Sequence, residues 1–124
     1  MRRTVIAAGI TVVALAVALP ATAATPSYNG TVGPGFSIVL AKKPTKAGKA
    51  TLVLADKSGI HNWHLRGPGG KEVAGTSGGK AVKKVDTGVG PQGTKSFTVT
   101  LKAGKYTFVC DPHSSSMKGS FTVR

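Results

Sequence analysis

The only cysteine of the chain lies in its last fifteen residues and is closely followed by a histidine and a methionine. Cys110 is followed by Asp111, Pro112 and His113, and three serines then lead to Met117. Thiolate and thioether sulfur stabilise Cu(I), while imidazole is acceptable to both oxidation states of copper. Pro112 is expected to stiffen the turn so that His113 points back at the same centre as Cys110. The spacing therefore predicts a copper site shared by these side chains.

Other chemistries fit the same residues less well. Zinc takes more thiolate or imidazole ligands and makes little use of thioether. A cysteine nucleophile activated by His113 would need an orienting third group and a substrate cleft, and a tight turn is a poor geometry for that pair. A buried thiol or an intermolecular linker, beside a surface histidine and a core methionine, is the metal-free alternative. The joint spacing of the three residues favours a metal site.

A copper site needs a further ligand from elsewhere, and the other two histidines of the chain are His61 and His64. Three residues apart in a predicted strand, they face opposite sides, so one of them is expected to reach Cys110. His61 is the candidate because it follows the turn-like residues 56–59 and so lies at the end of a strand. His64 is expected to be a surface or half-buried histidine, and Trp63 a packing residue with no redox role.

The N-terminus has the pattern of a signal peptide. Two arginines precede an apolar run from Val5 to Leu19, and small residues suited to cleavage follow it. An uncleaved membrane anchor is the alternative, but the run is rich in alanine and barely reaches spanning length. We therefore expect a signal peptide over residues 1–23, export to the periplasm or the extracellular space, and no stable membrane anchor after cleavage.

The charge of the chain indicates what it meets after export. The net charge is +13, and removal of Arg2 and Arg3 with the leader lowers it by two, to +11. Such a charge favours an acidic redox partner protein or an anionic envelope surface. Nucleic acid is not expected, because the protein is exported and its lysines are scattered without interleaved aromatic residues. A purely structural envelope-binding domain would explain the charge but not the ligand cluster. A monomer is expected.

Short runs of alternating apolar residues, separated by glycine, proline and lysine, predict an all-β fold. No stretch between them is long and apolar enough to be a crossover helix, so the arrangement is a single-domain sandwich or barrel. A small, polar segment at 24–35 is expected to be flexible, and 36–124 to be the folded domain. Residues 67–93 are expected to form a long irregular connection with one weak strand near Val73 or Val82. The predicted strands are 36–40, 50–55, 61–66, 94–101, 105–110 and 117–123.

The C-terminal segment resembles a known family. Residues 104–113, Met117 and residues 119–123 resemble the C-terminal copper loop of plastocyanin and the related small blue (type 1) copper proteins, the plastocyanin/azurin-like cupredoxins. His61 followed by Asn62 resembles the separate histidine of that family and the asparagine after it. One feature departs from the pattern: three residues separate His113 from Met117, where plastocyanin has four and amicyanin-like members have two.

The resemblance implies a cupredoxin-like Greek-key β-sandwich or barrel that holds one type 1 copper ion. It implies that His61, Cys110 and His113 form a trigonal ligand set, with Met117 as a weak axial ligand. It also implies that Asn62 ties the two ligand-bearing loops together, in keeping with the general need of metal ligands for outer support.

A copper ion in such a site changes oxidation state with little rearrangement, which is typical of a one-electron carrier that cycles between Cu(I) and Cu(II). No open coordination position or acid–base residue is evident, so catalysis is not predicted. The electron is expected to pass through His113, with Gly33, Pro34, Gly35 and Pro112 around it. The alternative function is copper storage or delivery, which predicts a more exposed and methionine-rich site.

Overall fold

The computed structural model describes Gly9 and residues 11–124 of the chain. Of the expected signal peptide, residues 1–8 and 10 lie outside the described part, and residues 11–23 contain neither helix nor strand. In the described ranges, no helix combines the length and the apolar character that crossing a bilayer requires.

The described chain folds into two β-sheets, which confirms the all-β, single-domain prediction. One sheet has the strand order β2-β1-β3-β7-β5-β6 and the other has the order β4-β8-β9. Neighbouring strands are antiparallel except β1 and β3, which are parallel. Two single 3₁₀ turns span Pro68–Gly70 and Asp111–His113. The strands are β1 (Ser27–Val32), β2 (Ile38–Leu40), β3 (Gly48–Asp56), β4 (His64–Arg66), β5 (Gly75–Ser77), β6 (Lys80–Val82), β7 (Gly93–Leu101), β8 (Gly104–Val109) and β9 (Lys118–Val123).

The core is built from the inward positions of the long strands. Period-two alternation buries every second residue over Ala50–Asp56 in β3, over Phe97–Leu101 in β7 and over Tyr106–Phe108 in β8. Trp63, which is fully buried, stacks on Phe108 with ring centroids 5.0 Å apart and planes 6° from parallel. Burial of each large apolar side chain contributes about 1.5–3 kcal/mol, so these aromatic residues anchor the end of the fold that carries the predicted ligands.

A glycine in β9 allows this aromatic stack. Gly119 pairs with Phe108 of β8, and a β-carbon added at Gly119 would overlap the Phe108 ring. The ring therefore lies directly over the glycine backbone. A larger residue at position 119 would push Phe108 away from its place against Trp63.

The expectation of a flexible segment over residues 24–35 is corrected by the structure, because residues 27–32 form β1. This strand pairs with β3 from Ser27 opposite Thr51 to its end, and its other edge pairs with β2. The inward positions of β1 include Gly30, where an added β-carbon would come within 2.7 Å of Leu54 Cδ2. Since a glycine occupies an inward position, the apolar alternation that marks a strand is lost from the sequence.

The connection between β4 and β7 is less irregular than expected. It contains the hairpin of β5 and β6, and β5 also pairs with β7 at one position. Val82 ends β6, so the weak strand expected near this residue is present, whereas Val73 lies outside the strands. Each of these strands has three residues, which is too short for an alternating pattern to be recognised.

Candidate metal centre

The predicted ligand loop is closed by its own backbone hydrogen bonds. Cys110 follows β8 directly, and Met117 directly precedes β9. The Cys110 N–H donates to the Met117 carbonyl oxygen at 3.0 Å, and the Met117 N–H donates to the His113 carbonyl oxygen at 2.8 Å. Pro112 occupies the 3₁₀ turn, in which the His113 N–H donates to the Cys110 carbonyl oxygen at 3.1 Å. The loop is therefore a compact unit that returns His113 toward Cys110.

Three side chains from two distant stretches of the chain converge at this loop. His61 Nδ1 lies 3.1 Å from His113 Nδ1, and each of these nitrogens lies 3.6 Å from Cys110 Sγ. His61 and Cys110 are fully buried, Met117 is 1% exposed, and His113 is half-buried. The centre is thus enclosed on most sides and opens toward solvent at His113.

His61 reaches the centre from a loop. The sequence predicts a strand over 61–66, but β4 begins at His64, so His61 precedes the strand. His61 and His64 therefore do not lie on opposite faces of one strand, although the sequence predicts that they do. What directs His61 is the loop that leaves β3, which turns where the Asp56 carboxylate accepts the Ser58 N–H at 3.1 Å.

The three donor atoms fit a single metal ion. Metal–nitrogen and metal–sulfur bonds of about 2.0–2.3 Å can join one ion to atoms separated by the observed distances. One thiolate with two imidazoles is the ligand set of blue copper sites, to which a long axial methionine is added. His61 directs Nδ1 at the centre, and its Nε2 is buried without a hydrogen-bond partner in the described part of the chain. The donor chemistry and the spacing both match copper.

His64 does not join this set, and the expectation of a surface or half-buried residue is wrong. Its side chain is buried, with 3% of its surface exposed. Its Nδ1 lies 2.8 Å from Asp111 Oδ2 and its Nε2 lies 2.7 Å from Glu72 Oε2. Both ring nitrogens are therefore occupied by carboxylates. The expectation followed from placing His61 and His64 on opposite faces of one strand, and the acidic partners, 8 and 47 residues further along the chain, follow no local pattern that pairs them with His64.

Asn62 connects the two ligand-bearing loops. Its Oδ1 accepts the backbone N–H of Asp111 at 2.8 Å, and its Nδ2 donates to Asp111 Oδ2 at 2.7 Å. The same Nδ2 also donates to Asp86 Oδ1 at 2.9 Å. Because Asn62 directly follows His61 and Asp111 directly follows Cys110, these bonds fix the two ligand positions relative to each other.

Two carboxylates in this network are held in the ionised form. Burial raises the pKa of Asp111, but hydrogen bonds from Asn62 and His64 and the charges of His64 and Arg66 outweigh it, so the pKa lies below its usual value. The pKa of Asp86 is lowered in the same way: burial raises it, and hydrogen bonds from Asn62 and the Gly88 N–H, with the nearby His64, more than compensate. The support of the ligand loop is therefore ionic as well as hydrogen-bonded.

Phe36, the first residue of the predicted strand 36–40, lies outside β2 and covers the centre. Phe36 precedes β2 and is 70% exposed. Its ring centroid lies 5.2 Å from that of His61 and 5.1 Å from that of His113, with edge-to-face angles of 66° and 87°. The preference of aromatic rings for such contacts orients both imidazoles. The sequence feature that could have indicated this role of Phe36 is its place directly after the glycine–proline–glycine segment 33–35.

Comparisons with known proteins identify the family. The model of the copper binding proteins of the plastocyanin/azurin family matches residues 36–124, and the chain belongs to this family. No curated protein sequence matches the chain with statistical significance.

Solved structures share the fold at low sequence identity. Auracyanin A, a "blue" copper protein from Chloroflexus aurantiacus, is 18% identical and has a TM-score of 0.56, over 82% of this chain and 100% of that one. Reduced rusticyanin is 22% identical with a TM-score of 0.53, over 81% and 79% of the two chains. Reduced auracyanin from Roseiflexus castenholzii is 20% identical with a TM-score of 0.52, over 82% and 99%. The predicted cupredoxin fold is confirmed.

Family and donor set together define the cofactor. The family binds copper, and the chain brings one thiolate and two imidazoles to a single point, so the prediction of one copper ion is confirmed. The centre lies at the end of the fold where the β3–β4 loop meets the β8–β9 loop.

Proposed function

We propose that the protein is an exported one-electron carrier whose type 1 copper ion is held by His61, Cys110 and His113, with Met117 as the axial ligand. The single observation that supports this most is the convergence of His61 Nδ1, His113 Nδ1 and Cys110 Sγ within 3.6 Å, in a centre where two of the three residues are fully buried. Copper supplies the redox couple. The protein keeps the ligands nearly fixed, which limits rearrangement during electron transfer.

Rigidity is what the surrounding residues contribute. The loop bonds between Cys110 and Met117, the bonds of Asn62 and the edge contacts of Phe36 each restrain one part of the ligand set. Residues restrained in this way cannot adapt to the different geometries that Cu(I) and Cu(II) prefer. We propose no catalytic reaction for the protein itself.

Copper storage or delivery is the competing function, and the two differ in the exchange of metal. A store requires a site that opens and releases its ion. Here the axial candidate Met117 is 1% exposed and His61 is covered by Phe36. Burial of the ligands favours the carrier.

The visible spectrum and voltammetry of the copper-loaded protein test the proposal. A carrier shows an intense thiolate-to-copper charge-transfer band and a reversible one-electron wave without loss of metal. A colourless protein that releases copper on reduction would instead support storage or delivery. For the ligand assignment, His61→Ala is expected to abolish the band, whereas His64→Ala retains a charge-transfer band. The opposite pattern would assign the ligand role to His64.

We further propose that electrons leave through His113 to an acidic redox partner, and that the carrier acts as a monomer in the periplasm or outside the cell. His113 is the ligand that approaches the surface, and Phe36 beside it offers an exposed apolar contact. The net charge, which is +13 for the whole chain and +11 without Arg2 and Arg3, would steer acidic proteins toward the molecule. The electron-transfer rate to an acidic acceptor should then fall steeply as ionic strength rises, and a rate independent of salt would contradict charge steering.

A further inference from the structure

The contacts of His64 set its charge. Both ring nitrogens lie within 2.8 Å of a carboxylate oxygen, Nδ1 against Asp111 Oδ2 and Nε2 against Glu72 Oε2. A neutral imidazole has one N–H group and one lone pair, whereas the imidazolium donates from both nitrogens. With a neutral ring, one of these contacts would place a lone pair against an oxygen lone pair at hydrogen-bond distance. The two contacts are those of a ring that donates from both nitrogens.

Both carboxylates also accept hydrogen bonds from other donors. Asp111 Oδ2 already accepts from Asn62 Nδ2 at 2.7 Å, and Asp111 Oδ1 lies 3.6 Å from Arg66 Nη2. Glu72 Oε1 accepts from Arg66 Nη1 at 3.2 Å. Each carboxylate thus faces donors from more than one side, which is the setting of a hydrogen-bond acceptor. His64 is the group that must donate.

The charges around His64 balance when the ring is protonated. Three of the four acidic residues of the chain surround it: Glu72, Asp86 and Asp111. Arg66 pairs with the first and third of these, and Lys84 Nζ lies 3.4 Å from Asp86 Oδ2. With an imidazolium, three cations meet three carboxylates. A neutral His64 would leave one negative charge in excess beside a buried ring, which is costly.

This cluster acts on the metal centre through Asp111. That residue follows Cys110, and its backbone N–H and side chain are both bonded to Asn62, which follows His61. The His64 ring, held on its other side by Glu72, fixes the Asp111 carboxylate in the orientation that meets Asn62. Among the described residues, His64 makes no hydrogen bond to a proposed ligand atom. Its role is therefore one of positioning.

We propose that His64 is a buried imidazolium that positions the loop carrying Cys110 and His113 and adds a fixed positive charge near the copper. The charge state stands on the hydrogen-bond geometry of His64, and the effect on copper rests on the proposed function. A positive charge destabilises Cu(II) relative to Cu(I), so His64 raises the reduction potential. In general, a unit charge on the order of 10 Å from a redox ion, at an effective dielectric constant of about 20, shifts such an equilibrium by roughly tenfold.

The charge state is tested on the metal-free wild-type protein. A long-range ¹H–¹⁵N correlation spectrum of the ¹⁵N-labelled protein at neutral pH is expected to show that Nδ1 and Nε2 of His64 both carry protons. A single protonated nitrogen would overturn the proposal. This measurement needs neither copper nor a substitution, so it stays decisive if a variant fails to fold and if the protein proves not to be an electron carrier.

The effect on copper is tested by the reduction potential of copper-loaded variants. His64→Gln, which removes the charge, should shift the equilibrium about tenfold toward Cu(II), or about 59 mV lower for one electron. His64→Lys restores a cation and should recover most of this shift. Lys84→Gln is the matched control, because it also removes a cation from the cluster. The Lys84 side chain is 59% exposed and screened by water, so this substitution should shift the reduction potential much less. Equal shifts in His64→Gln and Lys84→Gln, or an upward shift in the former, would overturn the electrostatic role.

Discussion

Asn62→Ala is expected to weaken the fold more than any surface substitution, because the Asn62 side chain hydrogen-bonds the loop that carries Cys110 to the loop that carries His61. Asn62 is 1% exposed and makes three hydrogen bonds at 2.7, 2.8 and 2.9 Å, two of them to the carboxylates of Asp111 and Asp86. The substitution removes all three at once. It also leaves the Asp111 N–H without its partner.

The size of the effect follows from these contacts. A hydrogen bond to a charged group contributes about 1.5–3 kcal/mol and a neutral one about 1 kcal/mol. The Asp111 side chain is 40% exposed and regains water when Asn62 is truncated, so its bond counts at the low end, whereas Asp86 is 10% exposed. We therefore expect a loss of about 2–4 kcal/mol in the free energy of unfolding, against a total of about 5–15 kcal/mol for a typical domain.

Urea denaturation of the copper-free protein measures this loss, with the shift of the midpoint at constant slope as the readout. Asn29→Ala is the matched control, because Asn29 is the other asparagine of the chain and its side chain is exposed on β1. The control should change stability by at most about 0.5 kcal/mol. A loss below about 1 kcal/mol for Asn62→Ala, close to that of the control, would show that the bonds across the loops do not stabilise the fold.

Three further outcomes are expected. The free energy of unfolding of the copper-free protein should fall as pH drops below about 4. The pKa values of Asp86 and Asp111 lie below the ordinary 3.8 because hydrogen bonds outweigh burial, so the unfolded state binds protons first. Chemical denaturation at pH 3 to 6 measures this slope. Gly119→Ala should cost about 1–3 kcal/mol of unfolding free energy by displacing the Phe108 ring, and an unchanged thermal midpoint would refute the close packing. Met117→Leu should keep the charge-transfer band and raise the reduction potential, because loss of the axial sulfur disfavours Cu(II); a lower potential in voltammetry would argue against axial ligation.

Local sequence was sufficient for much of the fold. The long strands β3, β7 and β8 follow alternating apolar residues, and the burial of Tyr106, Phe108 and Cys110 follows the same period. Strand β1 was missed because a glycine occupies an inward position. The hairpin of β5 and β6 was only partly anticipated, because three residues carry too little periodicity to be recognised.

What the sequence by itself determined is the donor loop: Cys110, His113 and Met117 lie within eight residues, and their chemistry indicates copper wherever the loop is placed. Only the tertiary structure decided which upstream histidine completes the set and what the other one does. That decision depends on contacts between positions 47 to 49 apart, which bring His61 to Cys110 and His64 to Asp111. Residues so far apart in sequence meet only when β4 pairs with β8, which sets His64 opposite Val109, and no local pattern records that pairing.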